Sequence, residues 1–180
     1  MAVIHSTTLT PGKLELLTAW LPEQPWYHGS GTPVLAKAGG FRVDDPAGEV
    51  GIEVLLVRDG DGTTYVVPMT YRGAPLEGAD DALVGTSEHG VLGRRWFYDA
   101  ERDPVAVAQF AALARGEVEA QHQDVSDTVD ATVTRGWDGP ADAGNVAVMR
   151  VLGSGADDDV LGWVAVASPA PGGRVLVVRR

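Results

Sequence analysis

Two apolar runs, Gly51-Ile52-Glu53-Val54-Leu55-Leu56-Val57 and Thr64-Tyr65-Val66-Val67-Pro68-Met69-Thr70-Tyr71, flank the turn-forming tetrapeptide Asp59-Gly60-Asp61-Gly62. Both runs are rich in β-branched and aromatic residues, so the pattern predicts a β-hairpin and commits the middle of the chain to antiparallel sheet. Pro68 has no N–H to give to a ladder, which predicts an edge strand or a bulge there.

Helical signals lie on either side. Thr10-Pro11 reads as a cap followed by a proline at the first helical position, opening a helix to Leu21. Leu14, Leu17 and Leu21 with Trp20 form its inward face, with Lys13 and Glu15 left in water, and Pro22 and Pro25 stop it. Residues 29–40 read as an irregular connection and residues 72–102 as a loop-rich middle. Asp103-Pro104 opens a second helix whose Val107, Phe110, Ala111 and Ala114 share a face and which Gly116 ends. Strand candidates follow at Thr128 to Thr134, Asn145 to Val151, Val160 to Ala167 and Arg174 to Val178. The order of helix, hairpin, helix and antiparallel meander is α+β, and no linker divides residues 1–180 into two domains.

Composition narrows the chemistry. The chain of 180 residues has no cysteine, which removes disulfides, thiolate nucleophiles and cysteine-based zinc sites, and fits a reducing compartment. A net charge of -11 opposes attraction to nucleic acid and anionic lipid. With no basic, apolar leader and no stretch of about 20 apolar residues, a cytoplasmic protein is expected.

Each catalytic pattern fails at a named position. Gly85-Thr86-Ser87-Glu88-His89-Gly90 approaches a nucleophile elbow, but His89 stands where the second glycine belongs. A phosphate loop needs Gly-Lys before a hydroxyl, and Gly12-Lys13 precedes Leu14. His5, His28, His89 and His122 lack metal-ligand spacing, and the Asp59-x-Asp61 start of a calcium loop meets Thr64 and Thr70 where glycine and glutamate are required. Asp157-Asp158-Asp159 reads as a solvated turn. No metal or cofactor is expected. Trp20, Trp26 and Tyr27 would make either a sugar platform or core, and Trp20 lies on the inward helical face. In the middle loop, Glu88 is placed to pair with Arg94 or Arg95 while Trp96, Phe97 and Tyr98 dock on the core. Five polar residues, Glu53, Arg72, Glu88, His89 and Arg94, form the candidate ligand site should they converge.

The stretch Trp20-Leu21-Pro22-Glu23-Gln24-Pro25-Trp26-Tyr27-His28-Gly29 resembles the Trp-Leu-x-x-Gln-x-Trp-Tyr-x-Gly signature near the start of actinobacterial maltokinases. The likeness continues to about Gly116. It includes Gly39-Gly40-Phe41-Arg42, Tyr71-Arg72-Gly73-Ala74-Pro75-Leu76 and Glu88-His89-Gly90-Val91-Leu92-Gly93-Arg94-Arg95-Trp96, and is similar to small stand-alone cap-like proteins. The resemblance implies a cystatin-like cap, a curved antiparallel sheet wrapped against helices. It does not imply kinase activity: the family's catalytic loop is of His-Gly-Asp type, whereas His89-Gly90 runs into Val91. Two functions are expected from this reading. One is a non-enzymatic regulatory or interaction module whose partner is a sugar kinase or α-glucan enzyme of trehalose, maltose or glycogen metabolism. The other is a small-molecule protein binding a sugar or nucleotide. Neither specifies an oligomeric state.

Overall fold

A computed structural model describes residues 8–140, 145–155 and 160–179. It is α+β, built on a strongly curled antiparallel half-barrel with two helices. The strands of this first sheet are β1 (Leu9–Thr10), β2 (Ala36–Val43), β3 (Gly51–Arg58), β4 (Thr64–Arg72), β5 (Leu83–His89) and β6 (Gly93–Asp99), in the order β1-β5-β6-β4-β3-β2. A second antiparallel sheet contains β7 (Val133–Trp137), β8 (Asn145–Val148), β9 (Val160–Val166) and β10 (Gly173–Arg179), in the order β7-β9-β10-β8. The helices are α1 (Lys13–Trp20) and α2 (Pro104–Arg115).

Strand alternation gives the first sheet two apolar faces. On one, Leu17, Trp20 and Leu21 from α1 and its end cover Leu55, Val57, Tyr65, Val67, Met69, Val84 and Phe97. On the other, Phe41, Val43, Val54, Leu56 and Val66 meet Phe110 and Leu113 of α2 and Val164, Val166, Leu176 and Val178 of the second sheet. The first sheet is therefore packed on both faces by elements of its own chain.

The β3–β4 hairpin forms in the expected place, with Arg58 opposite Thr64. Its turn closes through the Asp59 N–H to the Thr63 carbonyl (2.9 Å) and the Gly62 N–H to the Asp59 carbonyl (2.9 Å). Pro68 departs from expectation. Its strand is interior, between β3 and β6, and the β3–β4 register runs through it unshifted. The reason is a change of neighbour along β4. The Val66 N–H, on the side away from β3, donates to the Arg150 carbonyl (2.9 Å), whereas pairing with β6 begins only at Met69. Pro68, two residues after Val66, occupies the gap between these partners, where no N–H is required.

Residues 72–102 are more ordered than their loop-like composition implies, because β5 and β6 form a second hairpin turning at Gly90 to Gly93. Helix α1 starts later than expected. Thr10 is paired with Glu88 in β1–β5, so Gly12 becomes the cap, its N–H held by Glu15 Oε2 at 2.6 Å. Helix α2 follows the expected cap logic: Asp103 accepts from the Val105 N–H (3.0 Å), and Gly116 closes the C-terminus at φ 78°. Its buried face is Ala106, Phe110, Leu113 and Ala114, leaving Val107 and Ala111 half-buried. Strand β7 begins at Val133, since Thr128 and Val129 instead turn back on His122 and Gln121. His5 and Asp157-Asp158-Asp159 lie outside the described residues.

Candidate functional site

Alternation divides the five expected ligand residues between opposite faces of the first sheet. Glu53 lies opposite Met69 and so belongs to the α1 face, as does His89, which shares a face with Ser87 two residues before it. The Ser87 hydroxyl donates to the Pro11 carbonyl at the start of α1. Arg72, Arg94 and Glu88 share the opposite face with Trp96.

Three separate assemblies result. Glu53 is buried and accepts from Lys13 Nζ (2.5 Å) and Gln123 Nε2 (2.6 Å), so Lys13, expected in water, instead answers a buried carboxylate. Gln123 reaches it across Gly40, where a Cβ would lie 2.1 Å from the Val54 carbonyl and 2.7 Å from Gln123 Nε2. Arg72 grips Asp103 through two 2.7 Å hydrogen bonds. Glu88 and Arg94 pair at 2.8 Å across the exposed end of the β5–β6 hairpin. His89 organises that same turn, its Nδ1 accepting from the N–H groups of Leu92 (3.0 Å) and Val91 (3.3 Å).

The aromatic residues form a packed clasp. Trp20 meets Trp26 edge-on at 5.8 Å, and Trp26 and Tyr27 lie 6.1 and 5.2 Å from Tyr65. The Tyr27 hydroxyl donates to Asp59 Oδ2 (2.7 Å), and the His28 N–H donates to the Tyr65 hydroxyl (3.2 Å). Burial, then the hydrogen bond to Asp59, push the Tyr27 phenol up to about 12. Against the opposing effect of burial, donors from Tyr27, Gly60 and Val34 hold Asp59 below the ordinary carboxylate range. The face of Trp26 is occupied by the Arg150 guanidinium, 4.7 Å from the ring centroid.

Arg150 ties the C-terminal third to the first sheet. Its Nη2 donates to Asp99 (2.6 Å) and to Glu101, and Glu101 also accepts from the Val148 N–H (2.7 Å). Burial raises Asp99 above the usual range despite the arginine. The apolar spacing around residue 150 gave no sign of this cluster. Its only sequence trace is charge within otherwise apolar segments. Chemically, these carboxylates are fixed by permanent cations or backbone donors, an arrangement suited to holding a surface rigid. Among the described residues no group of three or more His, Cys, Asp or Glu could hold a metal ion, and no helix is long and apolar enough to cross a membrane.

Residues 20–103 match the family model of the maltokinase N-terminal cap domain. Over this segment the chain is similar to a maltokinase N-terminal cap domain. The match begins at Trp20, the first residue of the aromatic clasp, and ends at Asp103, the partner of Arg72. No curated protein matches the chain significantly. Within the cap-like segment, the conformation accounts for the signature residues. The Gln24 side chain donates to the Trp20 carbonyl (3.2 Å), and a Cβ at Gly29 would lie 2.0 Å from the Tyr27 hydroxyl. In the family the model describes, the cap is a non-catalytic N-terminal domain.

Proposed function

We propose that the protein is a non-enzymatic, cytoplasmic regulatory or interaction module. Its partner in this reading is a sugar kinase or α-glucan enzyme of trehalose, maltose or glycogen metabolism. One observation supports this most: the cap-like sheet has its own α2 and second sheet packed against it, in a chain whose signature aromatics and buried carboxylates all serve packing. Such a body offers a preorganised surface, and preorganisation lowers the entropic cost of association. A partner would meet it at the exposed strand ends and hairpin turns, because the broad sheet faces are covered.

The test is affinity capture with the tagged full chain from an actinobacterial lysate, followed by identification of retained proteins. Reproducible recovery of a sugar kinase or α-glucan enzyme, lost on competition with untagged chain, is expected. Repeated captures without any such enzyme would sink the reading.

A further inference from the structure

A cleft of about 260 Å³ opens between the β3–β4 turn and the connection from β9 to β10. Its polar wall carries Arg58, Thr63 and Thr64, and its apolar wall carries Leu152, Pro169 and Pro171. The cleft is bounded by both the cap-like segment and the C-terminal third. The Leu152 N–H donates to the Thr64 carbonyl (2.8 Å) and fixes one wall against the other. None of the five residues expected to bind a ligand lines it.

We propose that this cleft is a binding site for a small monocarboxylate carrying a short apolar tail. Arg58 is exposed, and its Nε–H is directed to the Thr64 hydroxyl at 3.3 Å. Its Nη edge is left with no acidic partner among the described residues. A guanidinium edge of this kind presents paired donors with the spacing of a carboxylate's two oxygens. The prolines and Leu152 supply a surface for a few methylenes, and the volume suits a ligand smaller than a typical drug. Charge selects a monoanion. Asp59 and Asp61 stand in the adjoining turn, engaged by Tyr27 and backbone N–H groups, and the chain carries a net charge of -11. A doubly charged phosphate meets more repulsion there than a carboxylate does.

The experiment is a ¹⁵N-NMR titration of the full chain at constant ionic strength with butyrate, with inorganic phosphate and with glycerol. Saturable shifts with butyrate, centred on the amides of Thr63, Thr64, Leu152 and Gly172, are expected. Phosphate should bind several-fold more weakly. Arg58→Gln, a change at an exposed side chain, should weaken butyrate at least ~10-fold, and Arg58→Lys should recover only part of that loss. The proposal is overturned if butyrate gives no saturable shift up to roughly 50 mM. It is equally overturned if phosphate or glycerol matches butyrate in the wild-type chain, or if Arg58→Gln binds as the wild type does. This site needs no protein partner, so its failure and that of the interaction reading are separable.

Discussion

Arg72 and Asp103 face each other through two parallel 2.7 Å hydrogen bonds, Nε to Oδ2 and Nη2 to Oδ1, and Asp103 is fully buried. The pair joins the end of β4 to the first turn of α2, where Asp103 also caps the helix. Removing one member strands a buried charge, which costs more than the pair contributes. Arg72→Ala and Asp103→Ala should each lower stability by about 3–5 kcal/mol in urea unfolding. The double variant should lose less than the sum, as for residues in direct contact. Additivity would show that the two side chains act independently.

Acid sensitivity should follow from carboxyl groups displaced in opposite directions. Asp103, Asp59 and Asp45 are held below the ordinary aspartate value of 3.8 when folded, against burial, by Arg72, by Tyr27 and by the Val50 N–H respectively. Their contribution is present above 3.8 and is lost as pH falls through the lower folded values. Asp99 is raised by burial, so its contribution is present at low pH and is lost as pH rises from 3.8 through its folded value. Urea midpoints should therefore drop below pH 3.8, and Asp99→Asn should flatten the slope just above it. An unchanged slope in Asp99→Asn would contradict the assignment.

At the alkaline end, a late tyrosine ionisation is expected. Tyr27, whose phenol lies near 12, is the group expected. Absorbance titration should show a late step that Tyr27→Phe removes. Because the folded value is raised, the tyrosine's contribution to stability declines as pH rises from 10 through about 12.

Gly40 tests the clasp over Glu53. With φ at 134° and a would-be Cβ 2.1 Å from the Val54 carbonyl, Gly40→Ala must shift backbone. A loss on the order of 1–3 kcal/mol is expected, together with faster exchange of the Arg42 N–H that donates to Gln121. Gly48→Ala, at φ 71° in open space, carries backbone strain without the clash and should lose less.

These relationships mark how far sequence reasoning reached. The β3–β4 hairpin was legible because its apolar runs and Asp-Gly turn agree locally, and α2 was legible because cap, proline and terminal glycine stand at fixed offsets. The β5–β6 hairpin was hidden because one of its strands reads Leu-Val-Gly-Thr-Ser-Glu-His, where only Val84 and Ser87 turn inward to burial. Glu53 stood out as charge within an apolar run and Arg72 as charge at the start of the loop-rich middle, yet their partners Lys13 and Asp103 are 40 and 31 residues away. Which face each residue shares with which helix is a property of register and topology, and that kept the five candidate residues from being sorted in advance. The C-terminal clasp at Arg150 was hidden for the same reason.

The interaction reading is tested most directly by isothermal titration of the purified full chain into purified sugar kinases and α-glucan enzymes from the same cell, with maltokinase among them. Saturable 1:1 binding to one of them, with kinase or glucan turnover altered in the complex, is the predicted result. Absence of both heat and any change in turnover across that set would contradict it.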